Sequence, residues 1–171
     1  MWDAIVVAAS SESPLWAETL RPRREQEREP VFSELAPDEH ALGLETIYEG
    51  YLVHFGRSRL FAPDDRDTAL LLGDYLYAQG LVHVAATGDL EAVSDLAELI
   101  SLCSQARADE RDGDAAAWAA TAARLGAGGL DDARGALRHR GEAGDAEQLA
   151  RLAAGDDAVD SALAAHARFV G

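Results

Sequence analysis

Between residues 44 and 55 the apolar side chains Leu44, Ile47, Tyr48, Tyr51, Leu52 and Phe55 recur at helical spacing, and no stretch of the chain alternates apolar and polar residues with period two. A half-buried strand needs that alternation, so the pattern argues against a sheet and for packed helices. The first strong helix begins at Pro37-Asp38, and the stretch from Gly56 to Pro63 breaks it. Asp64 is placed to cap the next helix, with Asp65 and Asp67 in its positively polarised first turn. That second helix runs to about Ala86 and is apolar on nearly every side, which predicts a position at the centre of the domain.

Gly88-Asp89 stops it and caps a third helix over residues 90–108. There Val93, Leu96, Ala97, Ile100 and Cys103 form the inward stripe, and Glu91, Asp95, Glu98 and Ser101 the outward face. Asp112 or Asp114 caps an Ala-rich helix that ends at the glycines between 126 and 129. Three more helices follow, over residues 131–140, 145–154 and 157–170. Short breaks between helices are the signature of a bundle. The fold class is therefore all-α, a compact single-domain helical bundle over residues 38–171. Residues 1–37 read as an irregular N-terminal segment with a short helix between Ser11 and Leu20, started by Ser13-Pro14. Residues 21–30, where Arg21, Arg23, Arg24 and Arg28 alternate with acids, read as a solvated linker.

Charge narrows the partners. All fifteen basic residues are arginine, against 31 acids, and the net charge is −16. Such a surface repels phosphate backbones and anionic bilayers, so neither nucleic acid nor a membrane surface is expected. Residues 68–86 approach the length of a membrane span, but they carry Asp74, Gln79 and His83, which predicts a buried helix and no transmembrane segment. A lone cysteine, Cys103, excludes an internal disulfide and points to a reducing, cytoplasmic compartment. Met1-Trp2-Asp3 has no basic region and the first apolar run stops at Ala9, so no signal peptide is expected.

Three blocks in order resemble the trans-polyprenyl diphosphate synthases. The first is Leu52-Val53-His54, similar to the segment before that family's first aspartate motif. The second is Gly73-Asp74-Tyr75-Leu76, followed by a Thr-Gly-Asp turn and an amphipathic helix. The third is residues 137–150, from Leu137-Arg138 to Gln148-Leu149-Ala150, preceded by an Ala-rich helix over residues 115–128. The resemblance spans roughly residues 40–155 and implies part of the isoprenoid synthase fold. It also implies substrate-binding roles for His54, Asp74, Tyr75 and Gln148.

The family's chemistry uses Mg²⁺ held by two Asp-Asp-x-x-Asp clusters, because hard carboxylate oxygens suit that ion. Here Phe55-Gly56-Arg57 stand where the first pair belongs, Arg151-Leu152 where the second belongs, and no lysine is present to hold a diphosphate. The expected protein is a non-catalytic, synthase-like partner or regulatory subunit in isoprenoid biosynthesis, with no cofactor. It would form a homo-oligomer or pair with an active prenyl synthase.

Two alternatives stand beside that reading. One is a Mg²⁺-dependent prenyltransferase with displaced clusters at Asp64, Asp65, Asp67 and at Asp156, Asp157, Asp160. Against it, acids at helix starts are explained by capping alone. The other is a module that holds a lipid in a cavity lined by Tyr48, Tyr51, Tyr75, Tyr77 and Phe55, which are more simply core aromatics. Asp74, within an apolar helix, reads as a buried carboxylate needing a partner. His54 and His83 lack metal-ligand spacing, and Cys103 lies on an apolar stripe, so packing is the simplest role for each.

Overall fold

The computed structural model describes residues 1–170. Among them the chain is all-α: α1 (Trp2–Glu12), α2 (Pro14–Glu18), α3 (Ala41–Phe55), α4 (Arg66–Ala85), α5 (Leu90–Ala108), α6 (Asp114–Ala123), α7 (Asp131–Arg140), α8 (Gly144–Ala154) and α9 (Asp156–Val170). Three single 3-10 turns lie between α2 and α3. Among the described residues no helix is long and apolar enough to cross a membrane.

The central helix is α3, not α4. Its residues from Gly43 to Leu52 are all buried. α4 packs antiparallel against it through two glycine pairs one heptad apart. A Cβ on Gly43 would stand 2.8 Å from the Gly80 carbonyl oxygen, and one on Gly50 would stand 2.9 Å from that of Gly73. Glycines let the two backbones approach this closely, and the approach sets which side of α4 faces inward. Leu72, Leu76, Tyr77 and Val84 are covered, whereas Leu71 and Val82 remain 57% and 61% exposed. The expectation of a central α4 thus fails: the helix is apolar all round yet lies at the edge.

α5, α6, α7, α8 and α9 complete the main core around α3. Ala116, Ala117, Ala119, Ala120 and Ala122 are all buried in α6, so small side chains let its neighbours pack tightly. α5 is rotated from the predicted stripe. Leu99, Leu102 and Ala106 face inward, Ala97 is exposed, and Asp95 is 2% exposed. Asp95 is tolerated because Arg134 Nη2 lies 2.9 Å away and the Gly126 amide donates to it at 3.0 Å. Asp65 rather than Asp64 caps α4, accepting from the Thr68 amide at 2.9 Å. Asp89 caps α5 as expected, accepting from the Ala92 amide.

The N-terminal segment is more ordered than its composition suggests. α1 begins at Trp2, ahead of the predicted short helix. Ile5, Ala9 and Trp16 form a second core with Leu60, Phe61, Leu72 and Leu76. Residues 21–30 are pinned too. The Arg21 amide donates to the Leu60 carbonyl at 2.9 Å, the Glu27 amide to that of Arg59 at 3.2 Å, and Arg28 pairs with Asp3 at 2.6 Å.

An alanine at position 80 would put its Cβ 2.4 Å from Ile47 Cγ1 and 2.7 Å from the Gly43 carbonyl oxygen, which is backbone and cannot yield. Gly80→Ala should lower unfolding free energy by about 1–3 kcal/mol. Gly135, inside α7 with open space around it, should show the opposite sign, a gain of up to about 1 kcal/mol as alanine. Urea denaturation of both variants measures this, and equal effects would refute the close-packing account.

Candidate functional site

The α3–α4 face brings together two of the four residues singled out by resemblance. Gly73 leaves room for the His54 ring, since a Cβ there would fall 2.3 Å from Nε2. His54 is buried under Tyr77, with ring centroids 5.1 Å apart. Its Nε2 lies 3.2 Å from Asp74 Oδ1, ion-pair distance without hydrogen-bond alignment. Burial lowers the His54 pKa, and the Asp74 charge opposes that shift. Asp74 itself is not the buried carboxylate expected. Its side chain is 75% exposed, and the histidine is the buried member of the pair. Tyr75 turns away and stacks on Trp16 at 6.0 Å. Gln148 is exposed on α8, beside Leu149, Leu152 and Asp132, and does not join the others.

The two acidic clusters do not converge either. Asp64 and Asp67 are exposed at the start of α4 and Asp65 is its cap. Asp156, Asp157 and Asp160 start α9. The other end of α9 meets the α3–α4 loop, where the Arg57 amide donates to the Phe169 carbonyl at 2.8 Å. At 1.5 Å per residue, Asp156 lies about 20 Å from that end. Arg151 bridges Glu147 and Asp160 at 2.7 Å each and Asp156 at 3.4 Å, so these acids serve a surface ion network. Among the described residues no group of three or more His, Cys, Asp or Glu side chains is placed to hold a metal ion.

Two buried polar clusters were not visible in the pattern of motifs. In the first, Arg59 lies between Glu45 and Glu49, and all three side chains are shut off from water. Arg59 Nη1 donates to Glu45 at 2.7 Å and its Nε to Glu49 at 2.9 Å. The amides of Val31, Phe32 and Ser33 donate to Glu45 Oε1 at 2.9, 3.2 and 3.1 Å. The Leu60 amide and the Ser58 hydroxyl donate to Glu49 Oε1. Burial alone would lower the Arg59 pKa, but the two carboxylates outweigh it and hold the guanidinium charged. The guanidinium also lies over the Trp2 and Tyr48 rings. With its oxygens so fully engaged, this group has no capacity left to activate a substrate. The sequence signal was two acids four residues apart within an apolar helix.

In the second cluster, the Tyr51 hydroxyl donates to Asp114, and Arg107 donates to both. His166 Nδ1 lies 3.0 Å from the Tyr48 hydroxyl, and its Nε2 lies 3.9 Å from Asp114. Asp114 therefore lies in the first turn of α6 as a buried partner, and neither it nor Asp112 caps the helix, whose N-cap is Gly113. Such groups could serve acid–base chemistry, but Phe32 and Trp118 fill the space beside them, both fully buried. Burial raises the pKa values of Tyr51, Tyr48 and Cys103. Two small clefts between helices, one at α5–α7 and one under α6, hold about 10 Å³ each. That is room for one water at most and not for a lipid.

Compared with protein-family models, curated proteins and solved structures, the chain has no match.

Arg59→Met would strand two buried carboxylates and should cost about 3–5 kcal/mol, read as a fall in urea midpoint. A loss below about 1 kcal/mol would show the network to be dispensable. A second expectation concerns acid. Burial pushes His166 down to about 4, with Asp114 opposing and Arg107 reinforcing. Its folded value lies below its unfolded one, so its contribution is complete above pH 6.5 and is lost as pH falls toward 4. The lowered carboxyl of Asp114 adds a loss in the same direction at lower pH. His166→Gln keeps a partner for Tyr48 and should flatten the stability–pH slope between 6.5 and about 4. An unchanged slope would assign the acid sensitivity elsewhere.

Proposed function

We propose that this chain is a non-catalytic, synthase-like helical subunit that works by pairing the outer face of α4 with a helix of another chain. One observation carries the reading. Leu71, Tyr75, Ala78, Val82 and Ala85 follow one another at spacings of four, three, four and three along α4. This is the seam of a coiled-coil-type helix pair. Leu71, Ala78, Val82 and Ala85 are exposed on it, and Tyr75 is half-buried. A continuous apolar seam on a protein with a net charge of −16 is costly in water unless it is covered.

The same helix carries Gly73-Asp74-Tyr75-Leu76, the block resembling trans-polyprenyl diphosphate synthases. Phe55-Gly56-Arg57 and Arg151-Leu152 at the positions of that family's metal-binding aspartates support a role without catalysis. An active prenyl synthase is therefore the partner the resemblance favours, and a second copy of this chain is the other occupant the seam suits. The role would lie in isoprenoid biosynthesis.

Light scattering at tens of micromolar, alone and with a co-expressed prenyl synthase, tests the reading. A homodimer or a one-to-one complex is expected, and Leu71→Asp with Val82→Asp should abolish it while leaving the helical circular dichroism unchanged. A monomer that retains no synthase would sink the proposal.

A further inference from the structure

Positive charge is scarce on this molecule, where 31 acids face 15 arginines, yet one concavity is lined by three arginines and a single acid. It lies between the α3–α4 loop, the start of α4 and the segment following α2, and its volume is about 430 Å³. The arginines are Arg21, Arg57 and Arg66. Arg21 Nε donates to the Ser58 carbonyl at 3.1 Å, and among the described residues Arg21 forms no ion pair. Arg57 pairs with Glu27. Arg66 makes no ion pair or side-chain hydrogen bond among the described residues and is exposed.

The one acid, Asp65, is the cap of α4, and its hydrogen bonds from Thr68 hold it ionised. Its two oxygens accept from the Thr68 amide at 2.9 Å and the Thr68 hydroxyl at 2.7 Å. Half-exposed Pro63 and Ala69 give the lining an apolar part, lying over the buried Leu52 and Phe61. The charge arrangement is the reverse of the surrounding surface, and the lining is divided between cations and hydrocarbon.

We infer that this concavity is a binding site for a small organic anion, a phosphate monoester or carboxylate carried on an apolar body. Guanidinium forks suit oxyanions, and Arg66 has its donors free. The volume lies in the range of small-molecule sites. The inference stands apart from the α4 seam, because Leu71 and Val82 do not line this space.

Calorimetric titration of the full chain with phenyl phosphate, benzoate and inorganic phosphate tests it. Saturable binding of phenyl phosphate or benzoate is expected, weakening as salt rises, and whichever binds more tightly names the headgroup. Inorganic phosphate should bind more weakly, and equal affinity would overturn the role of the apolar lining. Arg66→Glu should weaken the organic anion about tenfold or more. Arg140→Glu, the same charge change on the exposed end of α7, should leave it unaltered. No saturable binding of either organic anion, or equal losses in the two variants, would overturn the site.

Discussion

Arg59, a guanidinium with no access to water, ties two separate stretches of chain to α3. It lies in the α3–α4 loop and meets Glu45 and Glu49 one helical turn apart. Those carboxylates also gather the amides of residues 31–33 and of Leu60. A buried ion pair is a weak source of net stability, because desolvation offsets most of the attraction. What it supplies is geometry. The four carboxylate oxygens are all satisfied only when the loop, the N-terminal segment and α3 are in place together, so the network specifies one arrangement.

The glycine pairs along α3 and α4 extend that arrangement. Because Gly43 meets Gly80 and Gly50 meets Gly73, the two helices lie close and antiparallel, and α4 presents the same side inward along its length. On its other side Tyr75 stacks on Trp16, while Leu71, Ala78, Val82 and Ala85 stay exposed. An edge helix with an apolar outer seam follows from close packing on the inner face, and the proposed partner role rests on that consequence. The loop that joins the two helices carries Arg57 as well as Arg59, and Arg66 opens the helix that follows. Three of the fifteen arginines thus lie between residues 57 and 66.

Much of the architecture was legible residue by residue. Pro14, Asp89 and the glycines after α6 mark helix boundaries through local backbone chemistry, which needs no tertiary context. The candidate residues were legible only in part. Gly73 and Asp74 pack beside His54, an adjacency the sequence did not indicate, and Asp74 is at the surface while the histidine side chain is buried. Asp95 and Asp114 looked like an outer face and a cap. Each is instead held inside, by Arg134 on α7 and by Tyr51 and Arg107 on α3 and α5. Those partners stand 39, 63 and 7 residues away, and no local pattern announces such pairings.

The sequence by itself determined that the chain is helical, where its main helices begin and end, and that its surface is acidic. Periodicity, capping and formal charge act over one or two turns. Tertiary structure decided which helix is central, which charges are buried and which apolar face is left open. A helix apolar on every side gives no preference for orientation. The choice fell to glycines on two different helices and to the ion network in the loop between them.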